Sequence, residues 1–209
     1  MKISSPLHRL NGPAWALAAL LLAAGCAAPT PKPAAVSETR HESGFVITED
    51  LRVGTEVRAD YERAVLLLQR EEFHQGIALL QGVVERAPGA TAAHIDLGMA
   101  YRETGDAARA EASIKRALAL NPRHPVAHNE LAMLHRQAGR FQSARQHYEQ
   151  ALALQPSFHY ARRNLAILCD IYLADLECAL QHYEIYAEAV PQDGEVSMWL
   201  ADLRNRANR

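Results

Sequence analysis

From about residue 57 the apolar positions fall at i, i+3 or i+4, and i+7, the spacing of one helix face. The pattern breaks at regular intervals. In 91–124, "TAAHIDLGMAYRETGDAARAEASIKRALALNPRH", a helical stretch runs up to Gly105. A second follows and ends before Asn121-Pro122. In 125–158, "PVAHNELAMLHRQAGRFQSARQHYEQALALQPSF", the same pattern returns, with Gly139 as the break and Gln155-Pro156 as the stop. Twelve of the 34 aligned positions are identical, among them His94/His128, Leu97/Leu131, Ala110/Ala144 and Ala117/Ala151. Small residues recur where two helices must approach closely, at Gly98/Ala132, Ala110/Ala144 and Ala117/Ala151.

Two weaker copies flank this pair. Residues 57–90 carry Ala64, Gly76, Leu80 and Pro88 in the matching places, and 159–193 carry Leu165, Ala166, Ala179, Tyr183 and Pro191. The last copy is longer by one residue, inserted in "CDIYLADLEC", and Tyr186 stands where a small residue is expected. Residues 194–209 read as an amphipathic capping helix, with Val196, Trp199, Leu200 and Leu203 inward and Arg204, Arg206 and Arg209 outward. A cap is needed because each unit buries its apolar face only against a neighbour.

A helix pair of 34 residues with these small and apolar positions resembles the tetratricopeptide repeat. The resemblance spans 57–193 as four units and implies an all-α fold: a right-handed superhelix, or α-solenoid, of about four helix hairpins plus the cap. It also implies a concave groove lined by the first helix of each pair. The groove residues it singles out are Tyr61, Val65, Ile95, Met99, Arg102, Asn129, Met133, Arg136, Tyr160, Arg163 and Ile167. Met99, Met133 and Ile167 stack in one row, with arginines along it. Such a face suits a protein or peptide partner with apolar anchors and some acidic residues. The lysines and asparagines with which chaperone-binding relatives clamp a C-terminal carboxylate are missing, since the fifth and ninth places hold Tyr61/Val65 and Ile95/Met99.

The first residues follow a different pattern. Lys2, His8 and Arg9 precede an apolar run, Ala14 to Gly25, too short to span a bilayer comfortably. It ends in Ala23-Ala24-Gly25-Cys26, which resembles the lipobox of bacterial lipoproteins, with Ala23 in the place usually held by Leu. The resemblance implies a signal peptide over 1–25 and acylation of Cys26 by chains such as palmitate, which together hold a membrane stably. By resemblance to the lipoproteins of Gram-negative envelopes, Ala27 rather than Asp after the cysteine implies the periplasmic face of the outer membrane. Residues 26–43, with "AAPTPKPAAVSETRHES" after the cysteine, read as a Pro-rich tether, and 44–56 as a lead-in or docking segment.

Composition narrows the function. The chain has 209 residues, is 49% apolar, and has four Phe and two Trp, a profile of closely packed helices. Its formal charge of −2 becomes more negative once Lys2 and Arg9 are cleaved, unlike the basic footprint of a nucleic-acid binder. Ten histidines raise the question of a metal, but no HExxH or CxxC occurs. His94 and His128, on adjacent units, are expected about 8–10 Å apart, too far to share one ion. No nucleophile elbow, phosphate loop or paired-carboxylate signature is found, so no enzyme, cofactor, metal or small-molecule substrate is expected. Cys169 and Cys178 sit on either side of the last unit's turn, as a disulfide or as two buried thiols.

The functional expectation is a lipid-anchored periplasmic scaffold that binds a protein through its groove. It resembles the pilotin-type lipoproteins that aid assembly of type IV pili and secretion pores. Alternatives within the binding class are an accessory of a TonB/ExbB-type energy-transducing system and an adaptor for cell-wall hydrolases. A metal-dependent enzyme is the contrasting class.

Overall fold

A computed structural model describes the backbone of residues 35–40 and 46–207, and the side chains of 53–207. Cys26, the predicted signal peptide, and 26–34 and 41–45 lie outside the described residues, as does Arg209. Nine α-helices are described: α1 (Thr55–Gln69), α2 (Phe73–Arg86), α3 (Thr91–Glu103), α4 (Ala107–Leu120), α5 (Pro125–Gln137), α6 (Phe141–Leu154), α7 (His159–Ile167), α8 (Leu176–Ala189) and α9 (Gly194–Ala207). They pair as four hairpins, α1/α2 to α7/α8, closed by α9. First helices of adjacent hairpins also touch, α1 on α3 and α3 on α5. No described helix is long and apolar enough to cross a membrane.

The fold follows from the small positions. Ala64, Ala110, Ala117, Ala132, Ala144, Ala151 and Ala179 have no exposed surface, so helices meet there at backbone distance. At Gly98 an added Cβ would lie 2.6 Å from Ile114 Cδ1, which explains why that helix crossing uses no side chain. Larger side chains fill between the helices: Leu80, Ile114, Tyr148 and Tyr183 are all fully buried or nearly so.

The turns explain the glycines. Gly105 (φ +81°) and Gly139 (φ +71°) adopt the left-handed conformation just past α3 and α5, where a side chain costs energy. The amides of Asp106 and Arg140 then donate to the carbonyls of Tyr101 (2.8 Å) and His135 (2.9 Å), closing each helix end. Asp106 next caps α4 by accepting from the Arg109 amide at 3.0 Å.

In the fourth hairpin the inserted residue is absorbed by a π-helical turn, Leu168–Leu173, continuous with α7. The closing hydrogen bond accordingly runs one residue further, from the Asp175 amide to the Cys169 carbonyl at 2.9 Å. Cys169 and Cys178 are joined by a disulfide between that turn and α8, with Cα atoms 5.9 Å apart. Tyr186 is accommodated because its hydroxyl donates to Asp193 at 2.9 Å, ahead of α9. In the cap, Val196, Leu200 and Leu203 are buried, while Trp199 is half-buried with its ring centroid 6.1 Å from that of Tyr183.

One feature departs from the sequence reading. Residues 35–40, expected as tether, form strand β1 (Ala35–Arg40), paired antiparallel with β2 (Val46–Arg52) in the expected lead-in. Val36, Thr39, Val46, Ile47 and Thr48 supply the β-branched side chains that favour an extended backbone. The four hairpins and cap are all-α; this ribbon precedes them.

Candidate functional site

The first helices, α1, α3, α5 and α7, carry the residues predicted to line a groove, and the structure separates them into groups. Ile95 and Asn129 are 3% and 4% exposed, so they are interior residues and do not line an open face. The cause is the close approach of successive first helices. Tyr61, Val65, Met99, Arg102, Met133, Arg136 and Ile167 are half-buried, and Tyr160 is exposed.

Behind this face runs a line of polar contacts between successive units. Tyr61 on α1 donates its hydroxyl to Asp96 on α3 at 2.7 Å. Asn164 on α7 donates to the side-chain Oδ1 of Asn129 on α5 at 3.1 Å, and the Asn129 side chain donates to Glu130 at 3.0 Å and to the Met133 sulfur at 3.6 Å. Glu130 is 5% exposed, and the Arg102 guanidinium lies 3.3 Å from its carboxylate. Arg102 also pairs with Glu103 at 2.8 Å. Burial pushes the Glu130 carboxyl above its ordinary range, opposed by Arg102. Burial likewise raises Asp96 to about 6, in spite of the Tyr61 hydrogen bond. Neither carboxylate was marked in the sequence, where an acid inside a helical pattern reads as a solvated position.

The arginines differ in their commitments. Arg163 turns to the cap: its guanidinium lies 3.3 Å from Glu195, 3.8 Å from Asp193 and 5.3 Å from the Trp199 ring centroid. Arg136, half-buried on α5, makes no ion pair among the described residues. Near it the Tyr148 hydroxyl is buried without a hydrogen-bond partner in the described structure. Burial pushes that phenol up, opposed by Arg136. Met99, Met133 and Arg136 therefore form the central part of the face, apolar with one uncommitted cation.

Toward the cap the face ends in a cavity of about 230 Å³ lined by Ile167, Asp170, Ile171, Tyr183, Trp199 and Asp202. Ile171 and Tyr172, on the π-helical turn, are 67% and 45% exposed, which makes this end the more apolar one. Arg206 spans the cavity's acidic rim, 2.6 Å from Asp170 and 2.9 Å from Asp202.

Two other side-chain clusters bear on chemistry. The Asp175 carboxylate lies within 4.8 Å of both Cys169 and Cys178 sulfurs, in the pattern of a metal site. The sulfurs are bonded to each other, and Asp175 is occupied in capping α8 through the Cys178 amide (3.1 Å) and in pairing with Arg145 (2.9 Å). The second cluster is a row of histidines, His128, His147 and His135, which the sequence reading missed because they meet across two helices.

Residues 90–157 match the tetratricopeptide repeat family. No curated protein matches the chain. Among solved structures the chain is similar to pilF of Pseudomonas aeruginosa, at 20% identity and a TM-score of 0.67, over 73% of this chain and 69% of that one. It is similar to MamA, residues 41 to the end, from Desulfovibrio magneticus RS-1, at 17% identity and a TM-score of 0.65, over 74% and 87% of the two chains. The first tetratricopeptide domain of Spaghetti (RPAP3), bound to the HSP90 peptide SRMEEVD, aligns at 18% identity and a TM-score of 0.52, over 55% and 90%. At these identities the likeness is one of fold. Together with the repeat match, it identifies the four hairpins and their cap as a tetratricopeptide-type α-solenoid.

Proposed function

We propose that the chain is a lipid-anchored scaffold of the bacterial periplasm that binds a protein partner along the first-helix face and aids assembly of an envelope machine such as a pilus or secretion pore. The observation that carries the binding role is the composition of that face. Half-buried Met99 on α3 and Met133 on α5 share this face with half-buried Arg136, one turn after Met133, which has no carboxylate partner among the described residues. Two adaptable thioethers on one face with an uncommitted guanidinium suit a peptide with an apolar anchor and an acidic residue. A tetratricopeptide neighbour bound to a peptide supports this mode of binding. That particular peptide is disfavoured, because Tyr61, Val65, Ile95 and Met99 occupy the clamp places.

The anchor rests on Ala23-Ala24-Gly25-Cys26, and the pilus assignment rests on the likeness to pilF together with that lipobox. Mass spectrometry of the protein from bacterial membranes tests the anchor: a mature chain beginning at an acylated Cys26 is expected. An unacylated chain in the soluble fraction contradicts it. Binding is tested with an array of peptides combining apolar and acidic residues. Met133→Glu and Arg136→Glu are each expected to weaken the best binder about 10-fold or more, as befits central contacts, while Gln150→Glu on α6 leaves it unchanged. Equal loss in all three, or in none, contradicts a binding site on this face.

A further inference from the structure

At two places in each hairpin, one on the first helix and one on the second, the middle units differ in a way the fold does not require. The second unit has His94 and Ser113, the third His128 and His147, and the fourth Arg162 and His182. The first-helix member always reaches back to the preceding loop: His94 Nε2 is 3.2 Å from the Pro88 carbonyl, His128 Nε2 is 3.0 Å from that of Pro122, and Arg162 donates to that of Pro156 at 2.6 Å.

In the third unit this contact fixes the protons. His128 Nε2 must carry hydrogen to donate to the carbonyl, which leaves its Nδ1 bare in the neutral ring. His147 Nδ1 lies 3.1 Å from that nitrogen and therefore donates to it. The ring centroids are 5.3 Å apart, and His135 stands at the same 5.3 Å on another side of His147. His135 is held neutral in its turn, because its Nδ1 accepts from Arg140 Nε at 2.8 Å. The charged and titratable groups acting on His147 are His128 and His135 on α5 and Lys115 on α4; Arg140, Lys115 and Glu111 act on His135.

We propose that His128 and His147 form a proton-operated joint, which holds α6 on α5 near neutral pH and releases it in acid ahead of the second hairpin. One proton is tolerated: if His147 moves its hydrogen to Nε2, its bare Nδ1 accepts from a charged His128. The second proton puts two N–H groups face to face at 3.1 Å, both rings charged, with Lys115 beside them. The two donors repel each other, and parting of the helices relieves the repulsion. The second hairpin lacks the joint because Ser113 replaces the second ring. The fourth has a related contact, Arg162 to His182 Nδ1 at 3.4 Å, but there the disulfide also ties the hairpin.

The direction follows from linkage. Burial, together with the nearby His128 and His135 rings and Lys115, holds His147 down at about 4 from an ordinary 6.5. Its contribution is therefore present above about pH 6.5 and is lost as pH falls toward about 4. Hydrogen exchange on the full chain, corrected for intrinsic rates, tests the joint. Between about pH 7.5 and about pH 4.5 the opening equilibrium of the α6 amides is expected to rise roughly 10-fold or more, and that of the α4 amides less than about threefold. His147→Asn keeps a donor toward His128 but does not titrate, and is expected to remove the difference. Equal loosening of α4 and α6, or an unchanged acid response in H147N, overturns the proposal. A readout on the unaltered chain covers the case in which the variant fails to fold. The His147 Cε1 resonance is expected to titrate toward about 4, and a titration near the ordinary 6.5 overturns it.

Discussion

Ala174 holds the backbone place in the fourth hairpin that Gly105 and Gly139 hold in the second and third, with φ +52°, and Glu71 holds it in the first, with φ +61°. A Cβ in the left-handed region costs about 1–2 kcal/mol. Ala174→Gly and Glu71→Gly are therefore each expected to raise stability by about 0.5–1 kcal/mol in chemical denaturation, since part of the gain is offset by the unfolded chain's added freedom. Gly98 is the opposite case. Gly98→Ala drives a methyl against Ile114, and a loss of about 1–3 kcal/mol is expected by the same measurement. Asp96 sets a test of electrostatics. Its carboxyl, raised to about 6, makes the folded state hold a proton that the unfolded state releases, so the charged form costs stability above about pH 6. Asp96→Asn still accepts from Tyr61 and is expected to stabilise by about 1–2 kcal/mol near pH 7.5, an advantage that fades toward about pH 4. At this scale the sequence revealed what depends on local geometry. The turn glycines and close-approach alanines could be read directly. Asp96, Glu130 and the histidine row could not, because their burial is created by contacts some 20 to 35 residues away.

At the scale of elements, the repeat predicted every hairpin because each helix carries its own apolar stripe. The extra residue in "CDIYLADLEC" was also legible, and the π-helical turn is its physical form. The disulfide there ties the irregular turn to α8 across a short loop. Reduction, or Cys169→Ala with Cys178→Ala, is expected to cost about 2–3 kcal/mol by loop-closure entropy, read as a lower midpoint in denaturant. The ribbon of β1 and β2 was not legible, since its segment is short, polar and adjacent to prolines that mark an extended tether. Polar contacts also join the units: Arg140 reaches Glu111 at 2.6 Å, and Arg145 reaches Asp175 at 2.9 Å, each spanning two hairpins. Being exposed or half-exposed, each such pair adds little singly.

Over the whole molecule, the solenoid offers one face built from first helices, and its properties change along its length. The N-terminal part is engaged in the Tyr61–Asp96 contact. The centre combines Met99, Met133 and Arg136. The C-terminal part turns Arg163 into the cap and opens a small apolar cavity beside exposed Ile171 and Tyr172. The sequence placed these residues on one side but could not tell Ile95 and Asn129, which support the face, from Met133 and Arg136, which line it. That distinction depends on how closely α3 and α5 approach. The most direct test of a protein-binding face puts a photo-crosslinking residue at Met133 in living cells, with a control at Gln150 on α6. A distinct protein trapped from Met133 and not from Gln150 is the result this account predicts. Trapping equally from both positions, or from Gln150 alone, contradicts it.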